Sequence, residues 1–90
     1  PINVPKNKYN NVSELLMRIN YTLISGNFEL DYNNGEIRYR IGHHYKNIIF
    51  NKQSIQDIFS TAVTMLHEHF PYIAKVIYSD ETVDSIFSDI

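Results

Sequence analysis

Residues 27–41, NFELDYNNGEIRYRI, decide the fold of this chain. Apolar and polar side chains alternate on both sides of the pair Asn34-Gly35, and alternation with a period of two is typical of strands that bury one face. Asn-Gly is a strong local signal for a β-hairpin, because a type I′ turn needs a positive φ at both of its central residues. The stretch therefore predicts two antiparallel strands joined by a turn at Asn34-Gly35.

The register of this hairpin depends on the length of its loop. A two-residue loop at the Asn-Gly pair places Asp31 opposite Arg38 and Glu29 opposite Arg40, with the apolar residues on the other face. A four-residue loop keeps the same faces but sets Asp31 against Glu36, so that two like charges meet. We therefore predict the two-residue loop, with a ladder of ion pairs on the solvent face.

The segments on either side of the hairpin predict a helix and a third strand. Residues 12–24 carry apolar side chains at helical spacing, and Asn11 followed by Glu14 is typical of a capping-box start. Residues 45–50 are rich in β-forming side chains, and they predict a third strand antiparallel to the second.

The second half of the chain predicts two helices. The longer helix begins near Ser54, and we expect its broad apolar stripe to lie across the sheet; the stripe consists of Ile55, Ile58, Phe59, Ala62, Val63, Leu66 and Phe70. Pro71 either kinks this helix or begins a new one. Residues 72–78 fit alternation as well as helical spacing, and we favour a helix. Residues 83–90 predict a short amphipathic helix.

These elements together predict an α+β fold. Its two layers are an antiparallel three-stranded meander sheet and the helices packed on it, in the order α-β-β-β-α-α. Residues 1–10 are predicted to be an extended lead-in, and residues 11–90 a single domain. The chain starts with Pro1 rather than Met, and its first residues lack the apolar core of a signal peptide. We therefore expect a cytoplasmic folding unit trimmed from a longer chain.

The composition narrows the classes of function. The 90 residues are 43% hydrophobic and 20% charged, which is the balance of one small globular domain. The 8 Lys+Arg and 10 Asp+Glu give a net charge of -2, which argues against nucleic-acid binding through phosphate contacts. Cysteine is absent, so disulfides and thiolate chemistry are excluded. No apolar run approaches the ~20 residues that cross a bilayer, and we expect no membrane partner.

Three groups of polar residues are candidates for metal binding or catalysis. A purely structural role explains the residues of each group better than such a function does. The loop 31–36 lacks the distal Glu of a calcium loop. His67 and His69 are two residues apart and point in different directions on a helix, as do the adjacent pair His43-His44 in a strand; a metal site with one imidazole from each pair stays open. The carboxylates of the hairpin lie beside arginines, which keeps them ionised and unsuited to acid catalysis.

We accordingly predict no catalytic residue, no metal site and no cofactor. Seven tyrosines and five phenylalanines are many for this length, and tyrosine is favoured at protein interfaces. The candidate partner-binding residues are Tyr45, Phe50, Tyr72 and Tyr78. Packing in the core, with the hydroxyl at its rim, is the more frequent arrangement for such rings.

Several short motifs have a counterpart in a known family. They are Ile19-Asn20 at the end of the first helix, residues 26–31 (GNFELD), residues 35–40 (GEIRYR), and Phe70-Pro71 followed by Val76-Ile77-Tyr78. Together they resemble the YbjN family of bacterial sensory transduction regulators over nearly the whole chain. The resemblance implies a fold like that of type III secretion chaperones, often dimeric, with regulatory or chaperone-like protein binding.

The favoured hypothesis is a non-enzymatic protein-interaction module of the YbjN type. It would bind a partner protein, or a second copy of itself, through an exposed sheet edge or an aromatic patch on a helix. The alternative is a small-molecule sensor domain that holds a ligand between sheet and helices. An enzyme that uses His43, His44 or Glu36 ranks third.

Overall fold

The computed structural model describes residues 3–41 and 52–90 and shows helices packed on an antiparallel sheet. In chain order the elements are a 3-10 turn at Lys6–Lys8, α1 at Tyr9–Thr22, β1 at Asn27–Leu30, β2 at Ile37–Arg40, α2 at Lys52–Tyr78 and α3 at Val83–Ser88. The predicted α+β class is confirmed, and the sheet in the described part has two strands. The predicted third strand, residues 45–50, lies outside the described residues.

The first helix begins three residues before its predicted start. The 3-10 turn leads directly into α1, because the backbone N–H of Tyr9 donates to the carbonyl of Lys6. Asn11 therefore lies inside the helix and does not cap it, so the predicted capping box is wrong. The helix ends at Thr22, since Leu23 adopts an extended backbone conformation with ψ 142°.

The residues predicted as an extended lead-in contribute to the core. Val4 and Tyr9 are both buried. Asn3 forms an antiparallel bridge with Glu36, and the N–H of Val4 donates to the carbonyl of Gly35 at 2.8 Å. The N-terminal segment is thereby held against the loop of the hairpin.

The hairpin forms at the predicted place but in a different register. Glu29 pairs with Arg38 rather than with Arg40, and four residues, 32–35, connect the paired positions Asp31 and Glu36. The N–H of Asp31 donates to the carbonyl of Glu36 at 2.9 Å. The predicted two-residue loop and the predicted pair Asp31–Arg38 are therefore wrong, whereas Glu29 does form an ion pair with Arg40 on the solvent face, at 3.2 Å.

Hydrogen bonds inside the loop explain this register. The carboxylate of Asp31 accepts the N–H of Asn33 at 2.8 Å, so it is turned into the loop and away from Glu36. The N–H of Gly35 donates to the carbonyl of Asp31 at 2.7 Å, and Gly35 has a φ of 78°. Asn34 has no positive φ, and a type I′ turn is therefore not formed.

The second half of the chain contains the two expected helices. α2 runs without interruption through Pro71, which confirms the helix predicted over residues 72–78. Pro71 has no backbone N–H to donate within the helix. The helical turns that follow it are held in place because their side chains Ile73, Val76 and Ile77 are buried. The predicted C-terminal helix is confirmed as α3, and the hydroxyl of Thr82 caps it by accepting the N–H of Ser85 at 3.1 Å.

The core lies between α1, the sheet, the end of α2, and α3. The buried side chains are Val4, Tyr9, Val12, Leu15, Leu16, Ile19, Phe28, Ile73, Val76, Ile77, Val83 and Ile86. Arg18 links α1 to α3, because its guanidinium forms an ion pair with Asp84. The same guanidinium also pairs with Glu14, within α1, at 2.8 Å. The fully buried residues of α2 all follow Pro71, whereas Met65 and His69, before it, are half-buried against the core. The large apolar side chains of the first part of the helix are described separately below.

Candidate protein-interaction surface

The first two thirds of α2 expose large apolar side chains along one face. Ile55 is 57% exposed, Phe59 70%, Val63 50%, Leu66 38% and Phe70 47%. We call these five residues the α2 stripe. We predicted that this face lies across the sheet, and that prediction is wrong.

The α2 stripe belongs to a longer row of residues along one face of the helix. The C-terminal end of that row is buried. Ile55, Phe59, Ala62 and Leu66 are spaced alternately by four and three, and the same spacing leads on through position 69 to Ile73. Ile73 is buried in the core of the domain. One apolar row of a single helix is thus covered by its own domain at the C-terminal end, while at the N-terminal end Ile55, Phe59 and Leu66 are exposed and Ala62 is half-buried.

The relative lengths of helix and sheet explain why the row is open. The 27 residues of α2 span about 40 Å at 1.5 Å per residue. The four-residue strands β1 and β2 span only about 13 Å at 3.3 Å per residue. The described part of the chain is accordingly long and narrow, with extents of 46 × 28 × 19 Å. A sheet of this size covers only one end of the helix.

Charged residues between positions 53 and 70 of α2 lie away from the stripe, and Lys52, at the start of the helix, is the charged residue that shares its face. Between positions 53 and 70 the acidic residues are Asp57 and Glu68, and no Lys or Arg occurs there. At about 100° per residue, both are roughly 160–180° from the middle of the stripe. The polar face forms its own hydrogen bonds: Gln53 donates to the carboxylate of Asp57, and the hydroxyl of Thr61 donates to the Asp57 carbonyl, both at 2.8 Å. The stripe itself is therefore an uncharged surface.

Of the predicted partner-binding residues, the two that the structure describes, Tyr72 and Tyr78, do not share one surface. The Tyr72 side chain is half-buried, and its hydroxyl donates to the carbonyl of Asp89 at 3.5 Å. Tyr78 is 73% exposed, but six residues along a helix place it about 120° away from Tyr72. Tyr45 and Phe50 lie outside the described residues.

The histidines of α2 point in different directions, in keeping with their spacing. His67 is exposed, whereas His69 is half-buried with its ring against that of Phe28, at 5.1 Å between centroids. Its Nδ1 lies 2.8 Å from the carbonyl oxygen of Met65. Within residues 3–41 and 52–90, no group of three His, Asp or Glu side chains is placed to hold a metal ion. His43 and His44 lie outside this part of the chain.

Glu29, Arg38 and Arg40 of the hairpin form an ion-pair cluster at the surface. The carboxylate of Glu29 accepts hydrogen bonds from Arg38 and from Arg40, the latter at 3.2 Å. The hydrogen bond from Arg38 is the main cause that lowers the pKa of Glu29 below its usual 4.5, and Asn27 adds to the effect. A carboxylate held ionised in this way is a poor proton donor.

Glu29→Gln should destabilise the protein at neutral pH, and this effect should decrease progressively in acid. The folded-state pKa is the lower one, so the ion pairs stabilise the fold above pH 4.5 and stop doing so as the pH falls through the lowered value. Urea unfolding of both proteins at pH 7 and at pH 3 measures this difference. Glu36→Gln is the matched control, since Glu36 forms no ion pair with the residues described. A Glu29→Gln effect that is equally large at pH 7 and at pH 3 would contradict the assignment.

Among the described residues there are larger open depressions on the hairpin, of about 390 Å³ beside Glu29 and Arg38, and on the start of α2, of about 520 Å³ beside Ile55 and Phe59. A third groove, between α1 and β1, lies between helix and sheet. It encloses about 170 Å³ and is lined in part by Leu16, Asn20 and Tyr32. The side chain of Asn20 is already engaged, because its amide donates to the carbonyl of Phe28 at 3.0 Å and accepts the N–H of Phe28 at 2.7 Å. Ligand sites commonly enclose about 300–1,000 Å³, so this groove is small for the purpose.

The length of the helical pattern is a sequence signal for the exposure of the α2 stripe. A helical pattern that continues through Pro71 to position 78 is far longer than the strands predicted beside it. A helix that outreaches its sheet leaves part of its apolar row uncovered. Periodicity alone identified these side chains as apolar and aligned, and for that reason they were assigned to the core.

Comparison with known proteins adds no further information about the chain. A scan of protein-family models, a search of curated proteins and a search of solved structures each found no match. In the part of the chain that the structure describes, no helix combines the length and apolar character needed to cross a membrane. The geometry of the described residues therefore carries the functional argument.

Proposed function

We propose that this chain is a non-enzymatic protein-interaction module that binds a partner protein through the α2 stripe. The observation that carries the proposal is the exposure of five large apolar side chains on one face of one helix, at 38–70% each. Contiguous exposed apolar patches of this kind mark interaction sites on small proteins. Leaving such side chains in water forgoes the free energy that their burial against a partner would supply.

The chemistry of the stripe indicates the kind of partner. The cores of protein interfaces are depleted in charged residues and enriched in aromatic ones. The stripe contains Phe59 and Phe70 and no charged side chain. An apolar helix or an apolar groove on another protein fits this surface, whereas a charged ligand does not. The small volume of the groove between α1 and β1 argues only against a ligand held at that place between helix and sheet.

The wider proposal concerns the setting of the module. The motifs that resemble the YbjN family support a regulatory or chaperone-like role of the YbjN type, in the cytoplasm. Binding by a helix that projects from a small α+β body is compatible with such a role. In this setting the protein partner, rather than a substrate, determines what the module does.

We also propose that residues 45–50 complete a three-stranded meander by pairing with the outer edge of β2. Phe28 directs its backbone groups to Asn20, so the pair of Phe28 with Tyr39 is a non-hydrogen-bonded one, and the backbone groups of Tyr39 point to that outer edge. Strong protection of the Tyr39 amide in hydrogen exchange would support the third strand. Exchange at the rate of an open amide would contradict it.

Affinity capture with matched variants tests the interaction function. Phe59→Lys places a charge in the middle of the stripe, and Thr61→Lys places the same charge on the opposite face of the helix. We expect a protein retained by the wild-type chain and by Thr61→Lys but lost with Phe59→Lys. Circular dichroism should show the same helix content in all three chains. Retention of the same proteins by all three would refute binding through the stripe.

A further inference from the structure

We infer that the partner of the α2 stripe is a second copy of this chain, with two α2 helices packed antiparallel about a two-fold axis at Ala62 and Val63. This inference rests on the proposed function and names its partner. Four features of the described residues carry it: the position of the domain body on the helix, the centre of the stripe, its area and its lack of charge.

The rest of the domain, which we call the body, packs on one end of α2, and its position favours the antiparallel arrangement. The C-terminal third of α2 is buried against α1 and α3 through Ile73, Val76 and Ile77. A parallel pair would bring both bodies to the same end of the helices, where they compete for the same space. An antiparallel pair places one body at each end and leaves the two stripes facing each other between them. The opposed helix dipoles add a small favourable contribution.

The residues at the centre of the stripe allow the helices to approach closely. The midpoint between Ile55 and Phe70 falls at Ala62 and Val63, which are smaller than the residues at either end. Helices pack at about 8–10 Å between axes, depending on the side chains at the contact. Small residues at the axis and larger ones toward both ends make the surface complementary to itself, as a two-fold interface requires.

The area of the stripe matches the lower end of specific interfaces. If a large apolar side chain presents about 150–250 Å² when fully exposed, the five exposed fractions amount to roughly 500 Å² per copy. A pair would bury roughly 1,000 Å² in total, which is where specific interfaces begin. The expected dimer is therefore one that dissociates on dilution.

Charge does not oppose self-association. The acidic residues Asp57 and Glu68 lie on the far side of the helix from the stripe, so neither faces its own copy in the pair. A like-charge contact at the centre of a two-fold interface would be repulsive. No such contact arises from the five residues of the stripe.

Sedimentation velocity over a range of concentrations tests the inference. The wild-type chain and Thr61→Lys should sediment with twice the mass of one chain at high concentration and separate on dilution. Phe59→Lys should raise the dissociation constant by more than about tenfold, because the pair would have to bury an unpaired charge. A wild-type chain that stays monomeric throughout, or a Phe59→Lys chain that dimerises as well as the wild type, would overturn the inference.

Single cysteines test the orientation, because the natural chain has none. Under mild oxidation, Ala62→Cys should form a covalent dimer, whereas Ile55→Cys and the opposite-face variant Thr61→Cys should not. Equal cross-linking of Ile55→Cys would indicate a parallel pair and would overturn the antiparallel arrangement.

Maleimide labelling of Val63→Cys, a position that is 50% exposed in the single chain, separates the two proposals if the chain proves to be monomeric. An accessible thiol in a monomer would contradict the inference that the partner is a second copy. The proposal that the α2 stripe binds a different protein would then stand. A protected thiol in a monomer would overturn both proposals, because a segment of the same chain would then cover the stripe.

Discussion

Leu15→Ala is expected to lower the free energy of unfolding by about 2–5 kcal/mol. Leu15 is 0% exposed and lies on the face of α1 that packs into the core. Its truncation removes buried methyl groups and leaves a cavity, since neighbours such as Ile19 and Ile86 are themselves fully buried and relax only in part. For a chain of 90 residues the total stability is of the order of 5–13 kcal/mol, so the loss is a large fraction of it.

Chemical denaturation measures the effect of Leu15→Ala directly. Met17→Ala is the matched control, because Met17 lies on the same helix and is 73% exposed. Its unfolding free energy should stay within about 0.5 kcal/mol of the wild-type value. Equal losses for the two variants would mean that the face of α1 assigned to the core is not the buried one.

Gly35→Ala is expected to cost about 2–4 kcal/mol, from a steric clash together with backbone strain. A Cβ at position 35 would lie 2.3 Å from the carbonyl oxygen and 2.9 Å from the nitrogen of Val4. Both atoms belong to the backbone, so no side-chain rotation relieves the contact. The φ of 78° at Gly35 is in addition unfavourable for alanine.

The signature of Gly35→Ala should be local as well as global. Relief of the clash requires Val4 to leave the hairpin, which would break the hydrogen bond from its N–H to the carbonyl of Gly35. We expect the Val4 amide to exchange with solvent faster in the variant, in addition to the lower stability. Asn33→Ala, an exposed position in the same loop, is the control and should change neither quantity. A wild-type exchange rate at Val4 in Gly35→Ala would disprove the contact.

Local patterns were sufficient to predict most of the elements but not the register of the hairpin. The alternating residues gave the correct strands and the correct inward face, since a pleated strand turns every second side chain to the same side. Loops of two and four residues both preserve those faces, so the choice between them depended on charge pairs. The charge argument failed because the Asp31 carboxylate bonds to the N–H of Asn33 within the loop. Hydrogen bonds of this kind have no periodic signal.

The exposure of the α2 stripe could not be predicted from hydrophobic periodicity, for a reason different from that for the hairpin register. A helical pattern tells which side chains share a face, and Ile55, Phe59 and Leu66 do share one. It carries no information about what covers that face, which depends on the size of the neighbouring elements. The N-terminal residues illustrate the converse, because Val4 is buried by pairing with a loop distant in sequence.

Asn20 determines at which edge the sheet can pair with a strand of another chain. Its amide binds both backbone groups of Phe28 as a neighbouring strand would, and so it occupies the middle of the outer edge of β1 with a side chain. Exposed strand edges are templates on which foreign strands add and aggregates grow. A single asparagine thus terminates the sheet on the side of α1, and any extension by a further strand is directed to the side of β2.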